Sequence, residues 1–541
     1  MTGPTSTPTP RALSHKEVLE VLAGLLAMLF VAMLSSTIVS TALPTIIADL
    51  DGNQTQYTWV VTATLLAMTV SSPIWSKLSD LFDKKMLVQI AGVLFLLGSL
   101  AASLVQSVPQ LLAARGLQGL GVGGLMALTQ AILGTIIAPR ERGRYAGYMA
   151  AVMAVATVSG PLLGGVIVDL AGWRWCFFVA VPISLAGLAV LQKFLHIETV
   201  RRPARIDWWG ALFISVAASL PLIWVSFAGK DYDWVSRESG MFLAGTLLAL
   251  MAAILIERKH PEPLVPPRIL LELTTMLAII ASIAVGIAQF GTSVFLSQFF
   301  QTAQAYSPTE AGLLMLPLIL GSMIGATGSG QIITRTGRWK PVMLAGATSL
   351  IVGLALMGLT DHTTPMWHLS AFMILMGLGQ GALMQNLVLV VQNTVDVTDI
   401  GAASGVVSFF RSLGGTIGIA VLGAILSNRV ADTSAESIKD LVASGKITPE
   451  EAGQIAQGGG LDLEHMPAAA ATAVRHAYGD DIGVIFVIAA AFAVVTLVAI
   501  WRMPRTELRT TVAKEDPVAA EDEDRTGEAP AAVTEGTGAS D

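Results

Sequence analysis

Residues Gly147–Gly165 read GYMAAVMAVATVSGPLLGG, an uncharged apolar run crowded with small side chains. As a helix it rises roughly 27 Å, most of the hydrocarbon thickness of a bilayer. At about 100° per residue its small residues fall on two opposite faces. Gly147, Ala151, Ala154 and Gly165 share one face, with Pro161 beside them, and Ala156, Gly160 and Gly164 share the other. The second set is a small-xxx-small ladder, which lets membrane helices approach closely. Pro161 lacks a backbone donor and predicts a bend in the span. A helix smooth on both sides has two readings: a pivot between two neighbours, or a static packing element.

The rest of the chain has the same character. Of 541 residues, 53% are hydrophobic and 13% charged, with a mean hydropathy of +0.67. Soluble domains carry about 25% charged residues, so this composition predicts an integral membrane protein. The net charge of −7 arises largely from an acidic tail and one loop. One cysteine, Cys176, excludes an internal disulfide and a cysteine-based metal cage. Residues 1–17 are polar, and the apolar run after them is longer than a signal-peptide core, which predicts an uncleaved first span.

Fourteen spans are predicted, at about 18–42, 57–77, 86–105, 109–133, 145–168, 174–195, 208–227, 240–257, 274–299, 309–333, 340–359, 367–393, 403–427 and 482–502. One set of alternate short loops holds Lys77, Lys84, Lys85, Arg140, Arg142, Arg144, Lys193, Arg201, Arg202, Arg205, Arg258, Lys259, Arg268, Arg335, Arg338 and Lys340. The intervening short loops hold only Arg174, Lys230 and Arg237. The positive-inside rule makes the first set cytoplasmic and places both termini inside. Loop 394–402 departs from the pattern, with Asp396 and Asp399 and no base.

The expected organisation is a disordered N-terminus (1–17), a six-helix bundle (18–200), two inserted helices (201–260), a second six-helix bundle (261–510) and an acidic disordered tail (511–541). Within the second bundle, residues 428–481 read as an external loop with two short helices. Capping boxes at Thr433/Glu436 and at Thr448-Pro449/Glu451 signal them. Trp173, Trp175, Trp208 and Trp209 lie where helices enter the headgroup region. An internal repeat is visible: SKLSDLFDKK at 76–85 follows span two, and GQIITRTGRW at 330–339 follows span ten.

These segments resemble the major facilitator superfamily, and within it the fourteen-span drug:proton antiporters of the EmrB/QacA-like group. Gly160-Pro161-Leu162-Leu163-Gly164-Gly165, with Gly147 upstream, resembles the antiporter motif of span five; the family's glycine four before the Gly-Pro is Ala156 here. Arg115 to Gly121 resembles the span-four motif with its buried arginine. Ser76 to Lys85 resembles the gating loop, keeping Asp80, Lys84 and Lys85, with Ser76 and Asp83 where the family has glycine. The second copy keeps Gly330, Gly337 and Arg338. Thr37-Ile38-Val39, Ala42-Leu43-Pro44, Asp207-Trp208-Trp209-Gly210 and Gly401 to Gly415 with Arg411 also match.

The resemblance implies an all-α major facilitator fold, two six-helix bundles plus two inserted helices, in the inner membrane. It implies outward movement of a small hydrophobic drug, antibiotic or toxic metabolite, driven by proton entry, with no cofactor. The expected partners are substrate, lipid bilayer and protons; nucleic acid is not expected, and an envelope partner is left open. A lipid or endogenous metabolite as cargo, an importer, and a polytopic sensor or enzyme are the alternatives. No catalytic or metal-ligating constellation is visible in the sequence, and no phosphate-binding loop.

Charged residues inside a bilayer are costly and point to function. Arg115 and Arg411 stand inside predicted spans. By resemblance Arg115 couples protonation to helix movement; the other reading is a side chain reaching the external interface. Its helical face continues through Gln118, Gly119, Val122, Met126 and Gln130, a stripe suited to a water-filled cavity. Arg411 either pairs with backbone carbonyls or lines the cavity. Similar transporters place an aspartate where this chain has Ser35, and serine does not titrate. Asp80 is the remaining carboxylate for proton coupling; its other reading is a gate residue pairing with bases such as Arg144. Glu310 reads as part of a capping box, Ser307-Pro308-Thr309-Glu310. Ser35, Gln118, Met126, Gln289, Thr292, Phe295, Met373, Gln380 and Met384 are the candidate cargo surface. Methionine and aromatic side chains with sparse amides make an adaptable wall.

Overall fold

The computed structural model describes residues 15–50, 54–137, 139–195, 207–228, 232–260, 267–306, 308–361, 363–396, 399–449 and 467–508. The expectations for the N-terminus (its first 14 residues) and for the acidic tail lie outside them. Helices α1 (His15–Asp49), α2 (Gln54–Leu81), α3 (Lys84–Ser103), α4 (Val108–Ile136), α5 (Pro139–Ala171), α6 (Arg174–Phe178) and α7 (Ala180–Phe194) form the first bundle. Helices α8 (Trp208–Phe227) and α9 (Arg237–Glu257) follow as a packed pair. After the short α10 (Pro267–Leu270), the second bundle comprises α11 (Leu273–Gln298), a π-helical turn (Phe299–Ala303), α12 (Pro308–Leu314), α13 (Leu316–Thr336), α14 (Trp339–Met357), α15 (Met366–Thr394), α16 (Ile400–Ala443) and α17 (Ala468–Arg502). Among the described residues, eleven helical segments are long and apolar enough to cross a membrane. The molecule is a multi-pass, all-α membrane protein.

The helix ends sit where polar chemistry puts them. Asp83, expected in the gating loop, caps α3 by accepting from the Met86 N–H at 2.9 Å. Asp207 caps α8 through Gly210 N–H (2.7 Å), and Ser236 caps α9. Gly337 ends α13 at φ 70°, a left-handed conformation that favours glycine. At the end of α1, Asp49 accepts from the Trp173 indole (2.8 Å) and the Arg174 guanidinium (3.2 Å). The indole bond foremost holds this carboxyl below its usual range.

The duplication seen in sequence is repeated in the packing. In the first bundle α1 lies against α5 and α7, and α4 against α2 and α3. In the second, α11 lies against α16 and α17, and α15 against α13 and α14. Each bundle has its own buried apolar core, with Phe95 and Leu25 in the first and Trp339, Phe300 and Phe486 in the second. The bundles meet along two matching seams, α2 with α16 and α5 with α13. Helix α8 rests on the first of these, touching both α2 and α16, with the Phe227 ring tilted against Trp59 at a centroid distance of 4.6 Å. Helix α9 lies outside it and exposes Met241, Leu247 and Leu248.

The external loop expected at 428–481 is shorter than its sequence suggests. Helix α16 continues to Ala443, and α17 already begins at Ala468. No glycine or proline interrupts residues 424–444, and the first breaker is Gly445, at φ +71°. Thr433 and Glu436 therefore lie inside α16 and do not start a helix. Glu451, the partner expected for Thr448, falls outside the described residues, as does Ser307 of the other capping box.

Candidate functional site

The first seam closes at the end of the molecule that carries the basic loops. Helix α16 starts there with amides that have no partner inside the helix. Asp399, at its N-cap position, makes no cap bond; its carboxylate instead pairs with Arg268 at 2.7 Å. The cap comes from the other bundle. Asp80 Oδ1 accepts from Gly401 N–H at 3.0 Å, and Oδ2 from Ala402 N–H at 2.9 Å. A carboxylate at a helix N-terminus is favoured by the exposed donors and by the helix dipole. Separating the bundles here uncaps α16 and strands a carboxylate.

Close backbone approach makes this contact. A Cβ on Gly401 would lie 2.5 Å from the Ser76 carbonyl and also strike Ser79 and Asp80. One on Gly405 would strike the Ser76 side chain. Nearby, Gly134 of α4 sits under Ile400 and Gln392. Farther along the same interface, Gln130 Nε2 donates to Gln385 Oε1 of the second bundle at 3.0 Å. These amides edge a cavity of about 30 Å³, room for about one water, also lined by Tyr145, Met149, Asn386 and Gln392.

Helix α5 lies between α1 of its own bundle and α13 of the other. Its Gly160 packs directly on Thr37, whose hydroxyl lies 3.3 Å from the Ala156 carbonyl and 3.0 Å from the Leu34 carbonyl of its own helix. The Ala156/Gly160 face thus serves contact with α1. Gly165, on the other face, has open space where a side chain would be. The helix runs unbroken through Pro161 and Gly164. The surroundings of the Gly147, Pro161 and Arg144 side chains lie outside the described residues.

Arg115 is 4% exposed and lies inside the first bundle, so it does not reach the external interface. Its Nη1 donates to Gln118 Oε1 at 2.6 Å, while Nε is buried without a partner. Gln118 passes the network on, donating to Ser99 (2.8 Å) and to Ser35 (3.2 Å). The chain of contacts is neutral beyond the guanidinium. Gly119, expected on the same open stripe, packs against Thr64 of α2. The outer part of that stripe is therefore bundle core, and only Met126 and Gln130 are partly exposed.

A duplicated bundle of this topology has a family-wide counterpart. The model of the Major Facilitator Superfamily matches residues 25–419. This chain belongs to that superfamily. As a facilitator it resembles an uncharacterised MFS-type transporter of Mycobacterium tuberculosis, 33% identical over 467 residues. That match covers 86% of this chain and 66% of the relative. A protein named multidrug transporter protein MdtP, of Bacillus subtilis, is 30% identical over 408 residues, covering 75% of each chain. The solved human organic anion transporter MFSD10 shares the fold, with a TM-score of 0.59 at 12% identity over 89% of this chain and 99% of its own. The facilitator is a transporter and not an enzyme.

Other sequence-predicted residues separate into two groups. Thr292 and Phe295 are buried in the core of the second bundle, Thr292 donating to the Ala288 carbonyl of its own helix. They pack the facilitator's interior and present no surface to cargo in this conformation. Gln289 and Arg411 instead meet at Met384, with Gln380 one turn before it on α15: Gln289 Nε2 approaches Met384 Sδ at 3.6 Å, and Arg411 Nη1 donates to the Met384 carbonyl at 3.1 Å. Lys84 begins α3, and Lys85 donates to the Gln192 carbonyl at 2.7 Å, within the first bundle. In the second copy of the loop, Gly330 is buried in α13 and Arg338 sits at the N-cap of α14. Sequence reasoning missed Gln385 and the closing role of Gly401 and Gly405. The Gly401-Ala-Ala-Ser-Gly405 spacing is itself a small-xxx-small signal for that seam.

Proposed function

We propose that this facilitator exports hydrophobic or amphipathic small molecules from the cytoplasm across the inner membrane, in exchange for protons. The basic face is then cytoplasmic, both termini are inside, and α1 to α17 supply fourteen spans. The observation that carries the reading is the Asp80 cap. It ties the two bundles at the basic face through contacts that are either fully made or fully broken, as alternating access requires. With that seam closed, the cargo path faces the opposite side. Helix α5, packed on α1 and on α13, is the pivot, and the names of the Bacillus relative and the span-five motif support the outward direction. Gln130 and Gln385 close the path above the gate. Arg115, joined through Gln118 to Ser35, holds the first bundle's charge near the outer end of α4.

Proton exchange calls for a group that titrates, and Ser35 supplies none. Asp80 fills that place: its carboxylate is freed whenever the cap breaks. Purified protein in liposomes tests both statements. Substrate movement is followed with and without an imposed pH gradient, in the wild type and in Asp80→Asn. We expect gradient-driven flux in the wild type and loss of gradient dependence in the variant. Flux indifferent to the gradient in the wild type rejects proton exchange; a variant that keeps full gradient dependence removes Asp80 from that role.

A further inference from the structure

Among the described buried charges of the second bundle, Arg411 has no ion-pair partner. Helix α11 has no ionisable residue, and α16 has only Arg411 between Ile400 and Asn428. Arg411 is 8% exposed and has no ion-pair partner among the described residues. Its one hydrogen bond there is to the Met384 carbonyl. A guanidinium largely withdrawn from water and met by a single carbonyl dipole keeps donors available for an anion. Around Met384, which the guanidinium reaches, two polar atoms are unsatisfied. Gln380 Nε2, one turn before Met384 on α15, is buried without an acceptor, and Gln289 Oε1, across Met384 on α11, is buried without a donor. Gln289 and Met384 are themselves only partly buried, so the cluster is open on one side. Arg115 differs: its partner Gln118 is enclosed within the first bundle by bonds to α1 and α3.

We infer that Arg411, Gln380 and Gln289 form an anion-binding site, and that the cargo is a hydrophobic molecule bearing one carboxylate or sulfonate. The anion accepts from the guanidinium and from the Gln380 amide, completing both. Gln289 takes a donor on the same molecule, such as a neighbouring hydroxyl. Met384 and the adjacent apolar wall hold the hydrophobic body. An unpaired cation repels a cationic amphiphile and only tolerates a neutral one, so the site selects by charge. The inference rests on the transporter reading for the word cargo, but binding itself does not.

The test uses the full chain in lipid nanodiscs and three probes of one shape: 1-naphthaleneacetate, its neutral amide, and 1-naphthylmethyl-trimethylammonium. Equilibrium dialysis reads affinity. We expect the carboxylate to bind about tenfold more tightly than the amide, as one charge-assisted contact provides. Arg411→Met should remove that preference and raise the thermal midpoint of the empty protein, because the unpaired charge is gone. Gln380→Leu, which keeps the guanidinium, should weaken only the carboxylate, which keeps the test sound if Arg411→Met does not fold. Equal binding of all three probes overturns the inference, as does a carboxylate preference that survives both variants. Chloride at 100 mM erasing the preference assigns the site to an inorganic anion and also overturns it. Binding that follows the prediction without flux of the same probe in liposomes leaves the site standing and rejects the exporter reading; flux with no charge preference does the reverse.

Discussion

Gly401→Val is expected to hold the basic face open and reduce transport by one to two orders of magnitude. The position is at the seam of the two bundles, where a Cβ meets the Ser76 carbonyl at 2.5 Å and the Ser79 and Asp80 side chains closer still. Two of these neighbours cannot yield cheaply, since one is backbone and the other is the carboxylate that caps α16. Overpacking of this kind costs about 1–3 kcal/mol. Because it acts only when the seam is closed, it is a difference between two conformations, and each 1.4 kcal/mol is about a tenfold shift in their ratio. The first bundle and the second stay folded, as the clash lies between them. Labelling of a cysteine at Gln385, with Cys176 replaced by serine, reports the change: half-buried against Gln130 when the seam is closed, it should react faster in Gly401→Val. Asp80→Ala should shift the same equilibrium by a similar sign and smaller size, since it strands two donors without adding a clash. Unaltered labelling in Gly401→Val would show that the seam does not govern access.

The second large effect is on folding. Helices α13 and α15 meet backbone to backbone through Gly321 and Gly325 on one side and Gly377 and Gly381 on the other. A Cβ on Gly377 would strike the Leu318 carbonyl and lie 2.7 Å from Ser322 N; one on Gly381 would strike the Ser322 carbonyl. No rotamer relieves contacts with main chain. Gly377→Leu therefore has to part the helices, forfeiting dispersion contacts along the pair, at a cost of about 3 kcal/mol or more. The expected result is a lowered thermal midpoint and loss of a monodisperse species after extraction, with transport lost in proportion to folded protein. A variant of wild-type stability would mean that the two helices separate without penalty. Gly165→Ala, placed where a side chain meets open space, is the control and should be neutral.

These two positions illustrate what was legible beforehand. The helical, membrane-spanning class followed from composition, and the duplication from the pair of loops at 76–85 and 330–339. The glycines were visible as a pattern, but a pattern does not say which helix lies opposite. Gly160 meets Thr37 within its own bundle, whereas Gly401 meets Ser76 across the seam, and both have the same local signature. The stripe through Arg115 and Gln118 looked like the wall of a cavity because polar residues at helical spacing fit one. The structure turns it inward, where Ser35 and Ser99 satisfy the amide. Thr292 and Phe295 likewise share a helix with Gln289 but point into the core, because α11 is enclosed by α16 and α17 on that side.

The length of α16 marks the same boundary from another direction. Hydropathy ends its span near residue 427, and the polar residues after it read as loop. Helix propensity does not stop there: nothing breaks the backbone until Gly445, and the helix reaches roughly 66 Å, about twice the thickness of a hydrocarbon core. Burial periodicity locates membrane, while only backbone breakers locate helix ends.

The sequence by itself determined the all-helical membrane architecture, the two-fold internal repeat and the family. Each of these rests on residues interacting with solvent, lipid or near neighbours in the chain. Tertiary structure alone decided that Asp80 caps the amide of Gly401, 321 residues later, that Gln130 finds Gln385, and that Arg411 meets the Met384 carbonyl with no ion-pair partner among the described residues. Those contacts join distant segments through two or three atoms. Their energies depend on separations of a few tenths of an ångström, which folding sets and composition does not encode.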